Sequence, residues 1–120
     1  MKDKLPDYVL EQCKIYINGH VIIIRLIKCK ERPFYTVYYS VDKRFKGKSK
    51  DWIDNNFPPV PNGYSFPPST LVGCEPKLTF VGWDYYQYGD TNEDYSIDSI
   101  KEHAILVLEQ YINMFEEGER

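Results

Sequence analysis

Cys13-Lys14-Ile15-Tyr16-Ile17-Asn18-Gly19-His20-Val21-Ile22-Ile23-Ile24-Arg25-Leu26-Ile27-Lys28 is the stretch that decides the fold. Ile15 and Ile17 alternate with Lys14 and Tyr16, the period of a half-buried strand, and Asn18-Gly19 supplies two residues that tolerate the positive φ of a type I′ turn. The run after the turn is apolar on both faces, with Val21, Ile23 and Ile27 on one and Ile22, Ile24 and Leu26 on the other. Such a strand has to be covered from both sides, which predicts a central position in its sheet. Lys30 to Pro33 interrupts the pattern. Phe34-Tyr35-Thr36-Val37-Tyr38-Tyr39-Ser40-Val41, almost wholly β-branched and aromatic, then gives a third strand of an antiparallel meander. Upstream, Tyr8 to Gln12 fits either a helical turn or an extended lead-in.

Beyond the meander, residues 42 to 50 form a polar basic loop, and Ser49 is placed to cap a short helix beginning at Lys50. Pro58, Pro59, Pro61, Pro67 and Pro68 then remove backbone donors, so a long loop without ladder bonding is expected. Lys77 to Tyr85 returns to strand character, as two short strands or as one with a bulge at Gly82. From Ser96 the apolar period becomes 3.6. Ile100, Ala104, Val107, Leu108, Tyr111 and Phe115 share one helix face, Ser99 and Glu102 form a candidate capping box, and Gly118 suits the C-terminal stop. The fold expected is α+β: an antiparallel sheet of about four or five strands packed against one long C-terminal α-helix, as a single domain over residues 1–120.

The 42% apolar and 16% aromatic content is enough to order a core in a chain of this length, which excludes global disorder. Tyr dominates the aromatics, and a phenol keeps a hydroxyl that wants a partner, so many of these rings belong at core boundaries or recognition surfaces. The longest apolar run contains Arg25, and no signal-peptide pattern opens the chain, so the expectation is a soluble cytoplasmic protein without a membrane partner. Cys13, Cys29 and Cys74 have no metal-ligand spacing and leave an odd count, which argues against disulfides and against zinc.

Charge is sorted along the chain. Residues 25–50 carry nine Lys and Arg against two acidic residues, whereas residues 75–120 carry eleven acidic residues against three basic ones. Arg25, Lys28, Arg32, Arg44 and Lys46 flank a strand containing Tyr35 and Tyr38, and cations interleaved with aromatic rings can neutralise phosphates while stacking bases. The acidic C-terminal block would repel a long nucleic acid, which restricts this reading to a small anion. Asp90-Thr91-Asn92-Glu93-Asp94 begins like a calcium loop, but Tyr95 stands where glycine must turn and Lys101 where a bidentate Glu is needed. His20 and His103 have no fixed Cys or Ser partner. No catalytic residue, metal ligand or cofactor site is assigned.

Gly82-Trp83-Asp84-x-x-x-Tyr88-Gly89-Asp90, together with a helix ending in Leu108-Glu109-Gln110-Tyr111, resembles a set of small uncharacterised bacteriophage accessory proteins with the pattern G-F-D-x-x-H-x-G-D. Asn62-Gly63-Tyr64-x-Phe66-Pro67 is similar to their G-Y-V-x-I-P element, and Leu78-Thr79-Phe80 to their H-G-G-L-T-F strand. The likeness spans residues 62–112. Glu75-Pro76-Lys77 replaces the His-Gly-Gly, and Gln87 stands at the second histidine, so any chemistry served by those histidines is lost here. The resemblance implies an accessory, anti-defence role.

Together these readings give one lead expectation: a non-enzymatic protein that sequesters a small anionic, nucleotide-like ligand on Arg25, Lys28, Arg32, Tyr35, Tyr38, Arg44, Lys46, Trp83, Asp84, Tyr88 and Asp90. The alternative is a protein-directed inhibitor whose acidic half imitates nucleic-acid phosphates to block a host defence nuclease. A third is a small hydrolase using Asp84 and Asp90 as an acid/base pair. A homo-oligomer is compatible with all three.

Overall fold

The computed structural model describes residues 5–74, 77–86 and 96–116. Its α+β architecture is the one the sequence predicts. Strands β1 (Val9–Ile17), β2 (His20–Ile27), β3 (Phe34–Val41), β4 (Phe66–Ser69) and β5 (Thr79–Asp84) form one antiparallel sheet in the order β1-β2-β3-β5-β4. Helix α1 (Lys50–Asn56) lies between β3 and β4, and α2 (Ile97–Phe115) closes the described chain. Among the described residues no helix is long and apolar enough to cross a membrane.

Asn18 and Gly19 have φ of 51° and 83°, as a type I′ turn requires, and they fix the β1–β2 register so that Cys13 faces Ile24 and Ile15 faces Ile22. The ambiguous lead-in is extended. It pairs from Val9 onward, with a register shift between Val9 and Glu11. Strand β2 is interior, between β1 and the central β3, and Val21 to Arg25 are all buried.

The inner face of the sheet, formed by Ile22, Ile24, Val37, Tyr39, Val81 and Trp83, packs under Ile100, Ala104, Val107, Leu108 and Tyr111 of α2. Tyr111 is the hub. Its ring lies 5.6 Å from Tyr39 and 5.4 Å from Phe57, and its hydroxyl accepts the Asp42 N–H at 2.8 Å. Buried phenols are tolerated because each hydroxyl has a partner: Tyr39 and Tyr64 bond each other at 2.9 Å, and Tyr64 donates to the Pro58 carbonyl at 2.7 Å. Burial pushes the Tyr39, Tyr64 and Tyr111 hydroxyls well above the ordinary phenol range, so they stay neutral.

Three local expectations change. Part of the proline-rich segment does join the sheet. Phe66 faces Gly82 and Ser69 faces Phe80, with Pro67-Pro68 inside the register shift between them; an edge strand admits proline because its missing N–H can face away from the ladder. Next, β5 is a single strand, and its ladder with β3 runs unbroken from Thr36↔Asp84 to Val41↔Thr79. Gly82 serves close approach instead of a bulge: a Cβ there would stand 2.4 Å from the Val37 carbonyl oxygen and 2.6 Å from Cδ2 of Tyr38. Finally, α2 starts earlier than the candidate capping box. Ser96 is its N-cap, accepting the Ser99 N–H, and the added turn packs Ile97 against the core. Gly118 lies outside the described residues.

Ser49 caps α1 as its position predicts, with its hydroxyl accepting the Trp52 N–H at 3.1 Å. Within α1, Asp54 accepts the Tyr64 N–H at 2.7 Å and the Lys50 ammonium at 2.8 Å. Burial pushes the Asp54 carboxyl up, and those two donors more than reverse it, leaving it below its ordinary value. This carboxylate fastens the proline-rich loop to the helix.

Candidate functional site

The outer face of the sheet has a much thinner cover. Leu71, Cys74 and Leu78, from the segment between β4 and β5, pack on Val21, Ile23 and Phe80, with Tyr38 and Phe66 at the margin. The same segment covers Arg25, which is 1% exposed. Nε of Arg25 donates to Gln12 Oε1 at 2.7 Å, Nη2 donates to the Val72 carbonyl and reaches Cys74 Sγ at 3.5 Å, and the guanidinium lies 5.9 Å from the Tyr38 ring centre. A strand interior flanked by isoleucines predicts burial at position 25, and the guanidinium here ties β1, β2 and the covering segment together. It is a structural cation.

Among the described residues this cover stops short of the β2–β3 turn. At that end of the outer face a hollow of about 290 Å³ opens, lined by Tyr8 before β1, Ile27 of β2, Phe34, Thr36 and Tyr38 of β3, Asp84 of β5, and Ser65 and Phe66 at β4; Trp83 also borders it, but its ring lies on the inner face against Tyr39 and His103. Alternation in β3 places Phe34, Thr36 and Tyr38 on one face, and Thr36 and Asp84 are direct cross-strand partners, so hydroxyl and carboxylate are neighbours. Thr36 is 8% exposed; its hydroxyl makes no hydrogen bond of ordinary length and angle among the described residues, although it lies close enough to the Tyr38 phenol to favour its ionised form. A buried donor left this way costs about 1–3 kcal/mol; Trp83 Nε1 in the inner core shares that condition, but Thr36 lines the hollow.

Asp84 is oriented from its own chain. Its Oδ1 accepts the Tyr86 N–H at 3.1 Å, and the Tyr86 ring packs edge-on against Phe34 at 5.2 Å. Burial raises the Tyr38 phenol, partly offset by Thr36 and Arg25 beside it, so this wall of the hollow stays neutral.

The structure divides the basic block in two. Lys28 and Arg32 lie in the β2–β3 turn, whose flanking residues Ile27 and Phe34 line the hollow. Arg44 and Lys46 follow β3 at its other end, roughly 23 Å away along an eight-residue strand. Arg44 donates to the Phe115 carbonyl at 3.2 Å and lies 4.9 Å from the Phe45 ring centre, so it caps the end of α2. Tyr35 faces the other side of the sheet, at a smaller cavity of about 220 Å³ shared with Glu11 and Lys101. Of the expected site residues, then, Tyr38 and Asp84 meet at the hollow, Lys28 and Arg32 lie in the turn between its lining residues Ile27 and Phe34, and the Trp83 ring is turned to the inner core. Tyr88, Asp90, Glu93 and Asp94 lie outside the described residues, and with them the calcium-like loop and the Asp84/Asp90 pair.

Sequence reasoning did not single out Tyr8, Phe34, Thr36 or Phe66. The signal was available for Phe34 and Thr36, because period-2 counting from Tyr38 puts them on its face. Tyr8 and Phe66 reach the site only through strand order, which the local pattern does not encode.

His20, Ser40 and Glu116 stand in the order of a nucleophilic triad. His20 Nε2 is 2.8 Å from Glu116 Oε1, and its Nδ1 is 2.9 Å from the Ser40 carbonyl and 3.2 Å from Ser40 Oγ. Yet Ser40 is 5% exposed, its Oγ already accepts the Val21 N–H at 3.0 Å, and neither cavity is lined by it. These groups clasp the end of α2 to the sheet. His103 packs edge-on to Trp83 at 6.2 Å, and burial lowers its pKa, in keeping with a structural imidazole. Among the described residues, no three of His, Cys, Asp and Glu are grouped to hold a metal ion. Compared with family models, curated proteins and solved structures, the chain matches none.

Proposed function

We propose that this chain is a non-enzymatic binding protein that sequesters a small nucleotide-like anion, with the base in the outer-face hollow and the phosphate at the β2–β3 turn. The observation that carries the reading is a concave site in which the rings of Tyr8, Phe34, Tyr38 and Phe66 surround a carboxylate and a buried hydroxyl without a hydrogen bond of ordinary geometry. Aromatic walls of this kind stack bases, and polar groups few in number fix their orientation. Lys28, Lys30 and Arg32 supply positive charge at the β2–β3 turn. The likeness of residues 62–112 to small phage accessory proteins supports a role in withdrawing a nucleotide signal from a host defence pathway.

Isothermal titration with a panel of mononucleotides and cyclic dinucleotides tests this. Saturable binding of at least one member is expected, lost in Tyr8→Ala, weakened in the double variant Lys28→Glu/Lys30→Glu, and little changed in Lys46→Glu. Absence of binding to every member at millimolar concentration removes the proposal.

A further inference from the structure

Resting on that reading, the pairing of Asp84 with Thr36 on the floor of the hollow specifies which base is taken, and we infer that it selects guanine. An ionised carboxylate only accepts hydrogen bonds, through two oxygens with about four lone-pair sites. Oδ1 accepts the Tyr86 N–H, which holds the carboxylate plane while leaving acceptor capacity on both oxygens. A base that satisfies such a group side by side must present two adjacent donors, and among the common bases only guanine does so, through N1–H and the N2 amino group. Adenine offers one donor beside an acceptor. Uracil and thymine offer one donor between two carbonyls, and cytosine a donor beside an acceptor.

Thr36 completes the match. Its hydroxyl is carried by the cross-strand neighbour of Asp84, so a base pinned by the carboxylate lies within reach of it, and the hydroxyl can donate to the exocyclic carbonyl oxygen O6 beside N1–H. The rings of Phe34 and Tyr38 flank Thr36 along β3 and stand where they can cover the base faces.

The test is binding of GMP, IMP and AMP to the wild-type chain and to Asp84→Asn, with choline as a control for an aromatic hollow that takes organic cations instead. GMP is expected to bind about tenfold or more tighter than AMP, with IMP, which lacks the N2 amino group, between them. In Asp84→Asn the amide presents one donor and one acceptor, the pattern that suits adenine, so the GMP-to-AMP affinity ratio is expected to fall by about tenfold or more. A purely structural role for Asp84 would weaken both nucleotides alike and leave their ratio unchanged. Thr36→Val, which keeps the shape, is expected to weaken GMP without unfolding the chain. Equal affinity for the three nucleotides, or an unchanged ratio in Asp84→Asn, overturns the base assignment and leaves nucleotide sequestration standing. Tight choline binding without nucleotide binding overturns both.

Discussion

The two faces of one sheet are built to different standards. Under α2 the inner face has its tyrosine hydroxyls paired and its rings in mutual contact, with Tyr39, Val37, Phe57 and Tyr111 at 5% exposure or less. Among the described residues the outer face is covered by one irregular segment, keeps a buried arginine, and leaves the Thr36 hydroxyl without a hydrogen bond of ordinary geometry beside a hollow. The inner core carries a similar cost of about 1–3 kcal/mol at Trp83 Nε1, but that atom is enclosed by rings, whereas the Thr36 hydroxyl belongs to a residue that lines the hollow. Stability is concentrated on the helix side, and the proposed binding site lies on the other.

The sharpest way to break this contrast is to empty the inner hub. Tyr111→Ala removes a ring in contact with Tyr39, Phe45, Phe57 and Phe115, together with the acceptor for the Asp42 N–H, and should cost about 3–5 kcal/mol in urea unfolding. A loss near 1 kcal/mol would mean the inner face is not the principal core. Next comes Gly82→Ala, against the Tyr38 ring that lines the hollow. The Val37 carbonyl cannot move without breaking the β3–β5 ladder, so a destabilisation of about 1–3 kcal/mol is expected, along with displacement of Tyr38 and weaker ligand binding.

Asp54→Ala probes the strap between α1 and the proline-rich loop, at about 1 kcal/mol. The Lys50 pair is largely exposed and adds little, so most of the cost is the lost bond to the Tyr64 N–H. Because the folded carboxyl sits below its ordinary value, its contribution is present above about pH 4, where the unfolded group ionises, and is lost as pH falls through the lower folded value. The stability difference between wild type and Asp54→Ala should therefore shrink in acid. A difference that grows there would reverse the assigned direction. The smallest effect has the opposite sign: Thr36→Val replaces the hydroxyl with a methyl of similar shape and should leave stability unchanged or raise it by about 1 kcal/mol. A clear loss of thermal stability would show that the hydroxyl serves the fold.

Local periodicity was sufficient for the meander, for α1 with its Ser49 cap and for the buried face of α2, because each depends on neighbours within a few residues. Strand order was not available that way. Inserting β5 between β3 and the proline-bearing β4 is a consequence of tertiary packing, and it alone brings Phe66 and Asp84 to the same hollow as Tyr8. The basic block illustrates the same limit from the other side: Arg25 through Lys50 are adjacent in sequence, yet β3 carries Arg44 and Lys46 to the far end of the sheet and the β2 pattern takes Arg25 inside. Charge counted along a chain ignores the direction in which strands run.

Amide chemical-shift mapping on the folded chain during titration with GMP tests the location of the site most directly. Perturbations should concentrate on Tyr8, Ile27, Phe34 to Tyr38, Ser65, Phe66 and Trp83 to Tyr86, with the β2–β3 turn shifting alongside. Shifts centred instead on residues 43 to 50, or spread evenly over the surface, would contradict the assignment of ligand binding to the outer face.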